Sequence, residues 1–210
     1  MKKKRLLLAI GIVCLLALGA VGLSLAAKQD ATAFVGVPDT EESLAIQETI
    51  KRSYEIEAEA ATTFDTSAFA SIFINDSRGG TLIPSQLKFM QDITNDSSKT
   101  DFGYLEYKMT YFDWWGQGAI ALEELQSKTE SEGRNPSQEE MQSLIDSTGR
   151  MAPARSTSLQ IPEIEFISIT INDDYAIATF DDGPRTNEMG LVKVDGKWFI
   201  AGNKILSLHP

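Results

Sequence analysis

The sequence predicts an α+β domain: a group of helices followed by an antiparallel sheet of about four strands, behind one N-terminal hydrophobic helix. Three observations predict it. Apolar residues recur every three to four positions from Thr40 to about Gly149, the spacing of an amphipathic helix. After Leu159 the period switches to two, and four alternating runs follow, separated by short turns. Near the C-terminus, "KVDGKWFI" sets an Asp-Gly pair between alternating apolar residues, the strongest local signal for a two-residue hairpin.

The chain has 210 residues, enough for one domain and an appendage. Its composition, 42% hydrophobic and 23% charged, is that of a globular protein. The formal charge is −11, and Lys2, Lys3, Lys4 and Arg5 precede every acid. Without those four cations the remainder stands at −15, a charge that repels phosphate backbones and excludes nucleic acid as the expected partner. The one cysteine, Cys14, sits in an apolar run, so the body offers no disulfide, cysteine–metal site or thiol nucleophile.

Residues 6–27 are uncharged and carry twelve Leu, Ile or Val. At about −0.3 to −0.6 kcal/mol each on an insertion scale, these outweigh three glycines and drive the segment into a membrane. The basic cluster before it and Asp30, Asp39, Glu41 and Glu42 after it predict a cytoplasmic N-terminus and an external body. Small residues at Ser24–Ala26 and Ala20–Gly22 fit cleavage as a signal peptide, which would make the body secreted after release near Ala26. The length of the run matches the roughly 20 residues needed to span, and favours a retained single-pass anchor. Residues 28–38 read as a stalk.

The first helix is expected from Asp39, where Asp39 and Glu42 have capping-box spacing, with Ile46, Ile50, Tyr54 and Ala58 on its apolar face. Phe69, Ile72 and Phe73 belong to a short helix capped by Asp65 or Thr66, and "PSQLKFMQDI" to another. A third long helix starts near Phe102 and carries the row Tyr104, Tyr107, Tyr111, Trp114 and Gly118. The pair Gly116 and Gly118 in "WGQG" lacks a preceding strand and reads as a site of bending or close packing, not as a nucleotide loop. Asn135-Pro136 opens a further helix burying Met141, Leu144 and Ile145, within a helical insert near 133–155. The four strands are "IEFISITI", "YAIATF", "MGLVKV" and "KWFIAGNKIL", and links this short make them antiparallel neighbours. In the last hairpin Lys193 opposes Trp198 and Leu191 opposes Ile200. Both sheet faces are apolar there, so one takes the helices and the other is a second packing surface or a contact surface.

This order of elements, the "FDTSAFASIFINDSRG" segment and the "DGKW" hairpin resemble the NTF2-like (cystatin-like) fold, over Thr40 to the C-terminus. The resemblance implies a curved sheet wrapped around the long first helix as a cone, in a domain spanning 39–210. It also implies either a binding domain or an isomerase or dehydratase. The chain departs from the family in its helical "TLIPSQLKFMQDI", where a hairpin is usual, and in its insert.

Catalytic residues are sparse. His209 is the only histidine and lies at a terminus expected to fray. A Tyr54, Tyr107 or Tyr111 phenol beside a buried carboxylate such as Asp113 is the one plausible proton-transfer pair. The acidic turns, including "DDG" at 181–183, read as solvated, and Asn75 and Asn95 match glycosylation acceptors that matter only in a eukaryote. No catalytic set, metal site or cofactor is therefore predicted. The expected function is a non-catalytic binding module outside the membrane. Its candidate ligand-binding residues are Tyr54, Tyr107, Tyr111 and Trp114, its partner a small molecule or an envelope protein. The ligand is expected to be neutral or cationic, because no Lys or Arg falls in the aromatic stripe. The rivals are a Tyr/carboxylate enzyme, and a structural envelope domain using the outer sheet face.

Overall fold

A computed structural model describes residues 36–149, 152–158 and 161–209. The 6–27 segment and most of the stalk lie outside the described residues. Four α-helices precede a four-stranded antiparallel meander of order β1-β2-β3-β4. The helices are α1 (Glu41–Thr63), α2 (Pro84–Thr94), α3 (Tyr104–Ser131) and α4 (Gln138–Thr148). The strands are β1 (Glu165–Asn172), β2 (Tyr175–Asp181), β3 (Arg185–Val194) and β4 (Lys197–Leu208). Among the described residues no helix is long and apolar enough to cross a membrane.

The cap of α1 is Thr40, one residue after the expected Asp39; its hydroxyl accepts from the Ser43 amide. The buried row of α1 is Ser43, Ile46, Ile50, Ser53, Ile56 and Ala60, which mixes three- and four-residue steps because the helix turns every 3.6 residues. Tyr54 therefore falls beside the row, half-buried. The α4 cap is also displaced. Ser137 and Glu140 form its capping box, and Asn135-Pro136 precede it. The expected short helix at Phe69 is a single 3₁₀ turn. Phe73 then pairs in parallel with Ile200 at the edge of β4, and buries its ring.

The hairpin register is the expected one: Lys193 opposes Trp198 and Leu191 opposes Ile200. Asp195 and Gly196 both take positive φ, as a type I′ turn requires. The inner face carries Ile169, Ala176, Ala178, Phe180, Met189, Leu191, Trp198 and Ile200, packed with Ile46, Ile50, Phe69 and Phe112. Bulges skip Ile167 in β1 and Ala201 and Leu206 in β4. Such insertions bend and twist a sheet locally.

The outer face is not the open apolar surface that the alternation allows. The 3₁₀ turn Ser77–Gly79 crosses it, and Val192 beneath is fully buried. The approach depends on missing side chains: a Cβ on Gly190 would stand 2.1 Å from the Gly79 carbonyl oxygen, and one on Gly202 would stand 2.5 Å from it. The "WGQG" glycines likewise serve close packing, since a Cβ on Gly116 would meet the Phe64 ring at 2.9 Å and one on Gly118 the Ala152 Cβ at 2.3 Å. At the other sheet edge the Ile169 amide donates to the Gly36 carbonyl, so the end of the expected stalk is docked on β1.

Candidate functional site

A cleft of about 330 Å³ opens between α1, the start of α2, the first two turns of α3 and the ends of β3 and β4. Tyr54, Tyr104, Tyr107 and Tyr111 line it, with Glu57, Lys108, Arg185, Met189, Asn203 and Ile205. The 3.6-residue period stacks Tyr104, Tyr107 and Tyr111 along α3, with successive ring centroids 6.1 Å apart. Asn75 fixes the start of that row: its Oδ1 accepts from the Glu106 amide at 3.0 Å. Its side chain also packs against Gly103, where any Cβ would collide with it. Asn75 is thus a helix cap, and a glycan on its amide would dismantle the cap.

Tyr54 reaches the far side of the cleft. Its hydroxyl donates to Asp182 Oδ2 at 3.0 Å, and Arg185 donates to the same oxygen from Nη2 at 2.6 Å and Nε at 3.1 Å. The Asp182 side chain has no exposed surface, whereas that of Arg185 is 41% exposed. Burial pulls the Asp182 carboxyl upward, but the hydrogen bonds from Arg185 and Tyr54 and the guanidinium charge outweigh it and hold the group below its ordinary value. Burial and the adjacent Asp182 charge push the Tyr54 phenol far above its own. Burial also raises Tyr107, to about 12.

The remaining charges of the cleft are paired as well. Lys108 meets Glu57 at 2.8 Å and lies over the rings of Phe73 and Tyr104 at 5.3 and 5.5 Å. Lys204, at the lip, meets Glu188 at 2.7 Å. The absence of Lys and Arg expected from the α3 stripe therefore does not describe the cleft. Lys108 sits between the tyrosines on α3 itself, and Arg185 and Lys204 arrive from the sheet.

Three buried polar atoms are unspent among the described residues: two from residues on the cleft wall and, away from the cleft, Trp198 Nε1. The Tyr104 hydroxyl and the Asn203 Oδ1 are buried and have no hydrogen-bond partner among the described residues. Burial, reinforced by the Glu57 charge, pushes the Tyr104 phenol well above its ordinary value, and the Asn203 side chain beside it offsets only part of that rise.

The structure brings together three of the four candidate residues. Trp114 lies elsewhere, against Phe89 between α2 and α4, with its Nε1 donating to the Thr148 carbonyl at 2.9 Å. One further turn of α3 has carried it past the cleft. Asp113, the carboxylate expected beside the tyrosines, is exposed and borders a separate hollow with Asp92 and Asp146. Asp182 takes that place instead. The inward alternation Ala176, Ala178, Phe180 extends by one step to Asp182, so the signal lay in the strand, not in the acidic turn. His209 is not frayed: its backbone amide donates to the Pro184 carbonyl, and its ring contacts the Gly183 carbonyl and the Thr186 hydroxyl at 3.0 and 2.9 Å. It clasps the β2–β3 turn, outside the cleft. Among the described residues no cluster of His, Cys, Asp and Glu is arranged to hold a metal ion. No family model, curated protein or solved structure matches the chain.

Proposed function

We propose that this protein is an NTF2-like binding module, held outside the membrane by residues 6–27, whose ligand is a small molecule seated in the tyrosine cleft. The observation that carries this reading is the cleft wall itself. Four tyrosines surround a space at the lower end of the usual ligand-site range, walled on its far side by the Asp182–Arg185 pair.

The chemistry favours binding over catalysis. A proton-transfer site needs an acid or base that changes state near neutral pH. Here Tyr54 is driven away from ionisation and Asp182 is kept ionised, so the pair stays locked as phenol and carboxylate. The role left to Asp182 is to position Arg185 and Tyr54 on the cleft wall. An outer-face interface is disfavoured because the Ser77–Gly79 turn occupies the middle of that face.

Native mass spectrometry of the protein isolated from its own membrane tests the reading. The chain is expected to retain residues 6–27 and carry a small-molecule adduct. Ser85→Trp, at the exposed mouth of the cleft, is expected to lose the adduct while melting at the wild-type temperature. The bare mass for both proteins, or an adduct unaffected by Ser85→Trp, would overturn the cleft as the site. A mature chain beginning near Ala27 would replace the anchor with secretion.

A further inference from the structure

We propose that the tyrosine cleft takes a small monoanion, an apolar body carrying one oxyanion head such as a carboxylate, with the head held at Arg185. The proposal rests on the binding reading above and adds the charge class of the ligand.

The charge on the cleft wall is opposite to the charge on the body. Beyond its N-terminal basic cluster the chain stands at −15. Yet the cleft is lined by three cations, Lys108, Arg185 and Lys204, and by one carboxylate, Glu57, a surplus of two positive charges. The other two carboxylates, Asp182 and Glu188, meet their partners from outside the lining. Asp182 has no exposed side-chain surface, while 41% of the Arg185 side chain is exposed, so the carboxylate backs the guanidinium and the cation fronts the space. At physiological ionic strength fields are screened over about 8 Å, and the groups on the wall govern what binds there. An ammonium ligand would sit against Arg185 and Lys108 with Glu57 alone to attract it, and Lys108 already holds Glu57 at 2.8 Å.

Hydrogen-bond capacity favours the same class. Asp182 occupies Nε and Nη2 of Arg185, at 3.1 and 2.6 Å, and leaves the Nη1 hydrogens outside that contact. A guanidinium carries five donors in one plane, so an oxyanion that takes the free ones adds to the pair and displaces no carboxylate. The Tyr107 hydroxyl has no hydrogen-bond partner among the described residues and is not one of the buried unpaired atoms, so it is an accessible second donor. The Ser85 hydroxyl, exposed at the mouth, is a third. One negative charge is the limit, because each cation keeps its own carboxylate and a dianion would meet a nearly balanced wall. The rings of Tyr54, Tyr107 and Tyr111 and the Met189 side chain enclose the apolar body.

The five tyrosines of the chain make the test internal. Four line the cleft, while Tyr175 opposes Val192 on the outer face. The full chain is labelled with 3-fluorotyrosine, solubilised in a non-ionic detergent, and titrated with benzoate, benzamide and benzylamine, which differ in charge but little in size. Each resonance is assigned by a single Tyr→Phe substitution. Benzoate is expected to move the resonances of Tyr54, Tyr107 and Tyr111, leave that of Tyr175 in place, and bind about tenfold more tightly than either other probe. Raising the salt to about 0.5 M is expected to erase most of that preference. Arg185→Lys keeps a cation beside Asp182 but removes the planar fork, and is expected to weaken benzoate about five- to tenfold with benzamide unchanged. Lys204→Gln, a change at the lip that leaves the Asp182 pair alone, is expected to weaken benzoate about twofold without touching the fold. Benzamide or benzylamine binding as tightly as benzoate, or benzoate binding indifferent to salt and to Lys204→Gln, would overturn the anion class and leave the cleft standing. Unchanged benzoate affinity in folded Arg185→Lys would overturn Arg185 as the holder of the head. No response of the three resonances to any probe would overturn the cleft as well.

Discussion

The Tyr54 hydroxyl donates to Asp182 Oδ2 at 3.0 Å across 128 positions of sequence, joining the first helix to the turn between β2 and β3. With Arg185 on the same oxygen, this is the bond that fixes the polar wall of the cleft. Removing Asp182 leaves two groups without their common acceptor. Breaking a fully buried ion pair from one side costs about 3–5 kcal/mol, and the partial exposure of Arg185 lowers the expectation for Asp182→Ala to roughly 2–3 kcal/mol. Tyr54→Phe should cost less, about 1–2 kcal/mol, because Arg185 still satisfies the carboxylate. Urea unfolding of both variants checks the order; equal losses would mean that Arg185 does not hold Asp182.

The same network predicts an acid limb in the stability curve. The folded value of Asp182 lies below its unfolded value of about 3.9, so its contribution is complete above that pH and disappears as pH falls through the folded value. Asp182→Asn should therefore be less stable than wild type at neutral pH, with the gap closing at acid pH. Urea midpoints measured from neutral pH downward test this. A gap independent of pH would assign the effect to shape and not to charge.

Trp198 anchors the "DGKW" hairpin in the core. It is 2% exposed, lies beneath the Lys193 ammonium at 5.7 Å and shares its face with Leu191 and Ile200. Truncation to Ala should cost about 3–5 kcal/mol. A loss below about 1 kcal/mol in chemical denaturation would mean that the hairpin tip is not part of the core.

The glycines beneath the Ser77–Gly79 turn make a separate prediction. Gly190→Ala places a methyl where the Gly79 carbonyl now sits, so the turn must lift from the outer face. Overpacking of this kind costs about 1–3 kcal/mol. Faster amide exchange on residues 76–80 is expected beside that loss, and unchanged exchange would show that the strands yield instead of the turn.

The elements were legible where a single period ran long enough to dominate. The α3 aromatic row, the β3–β4 register and the packing role of Gly116 and Gly118 all follow from spacing alone. Cap positions slipped by one or two residues, because Thr40 and Ser137 stand beside other residues of equal capping chemistry. The covered outer face was illegible, since two apolar faces do not say which distant segment covers them. The candidate site was half visible. Tyr107 and Tyr111 share a helical face with Trp114 in sequence, but three and four residues add up to less than whole turns, and the row drifts around α3 until Trp114 meets α2 and α4. Asp182 falls in "DDG" at 181–183, which reads as a solvated turn once the strand alternation is ended at Phe180. Asn203 could not be paired with Tyr104 without the bulge at Ala201, which resets the facing of β4.

The central claim is that the cleft among Tyr54, Tyr104, Tyr107 and Tyr111 is a ligand site. A high-resolution crystal structure of the protein purified from its native membrane tests it most directly. The account predicts an organic molecule between the rings of Tyr54, Tyr107 and Tyr111, with the Asp182–Arg185 pair intact. A cleft closed by repacked tyrosines, a cleft holding only water, or a ligand bound at another surface would contradict it.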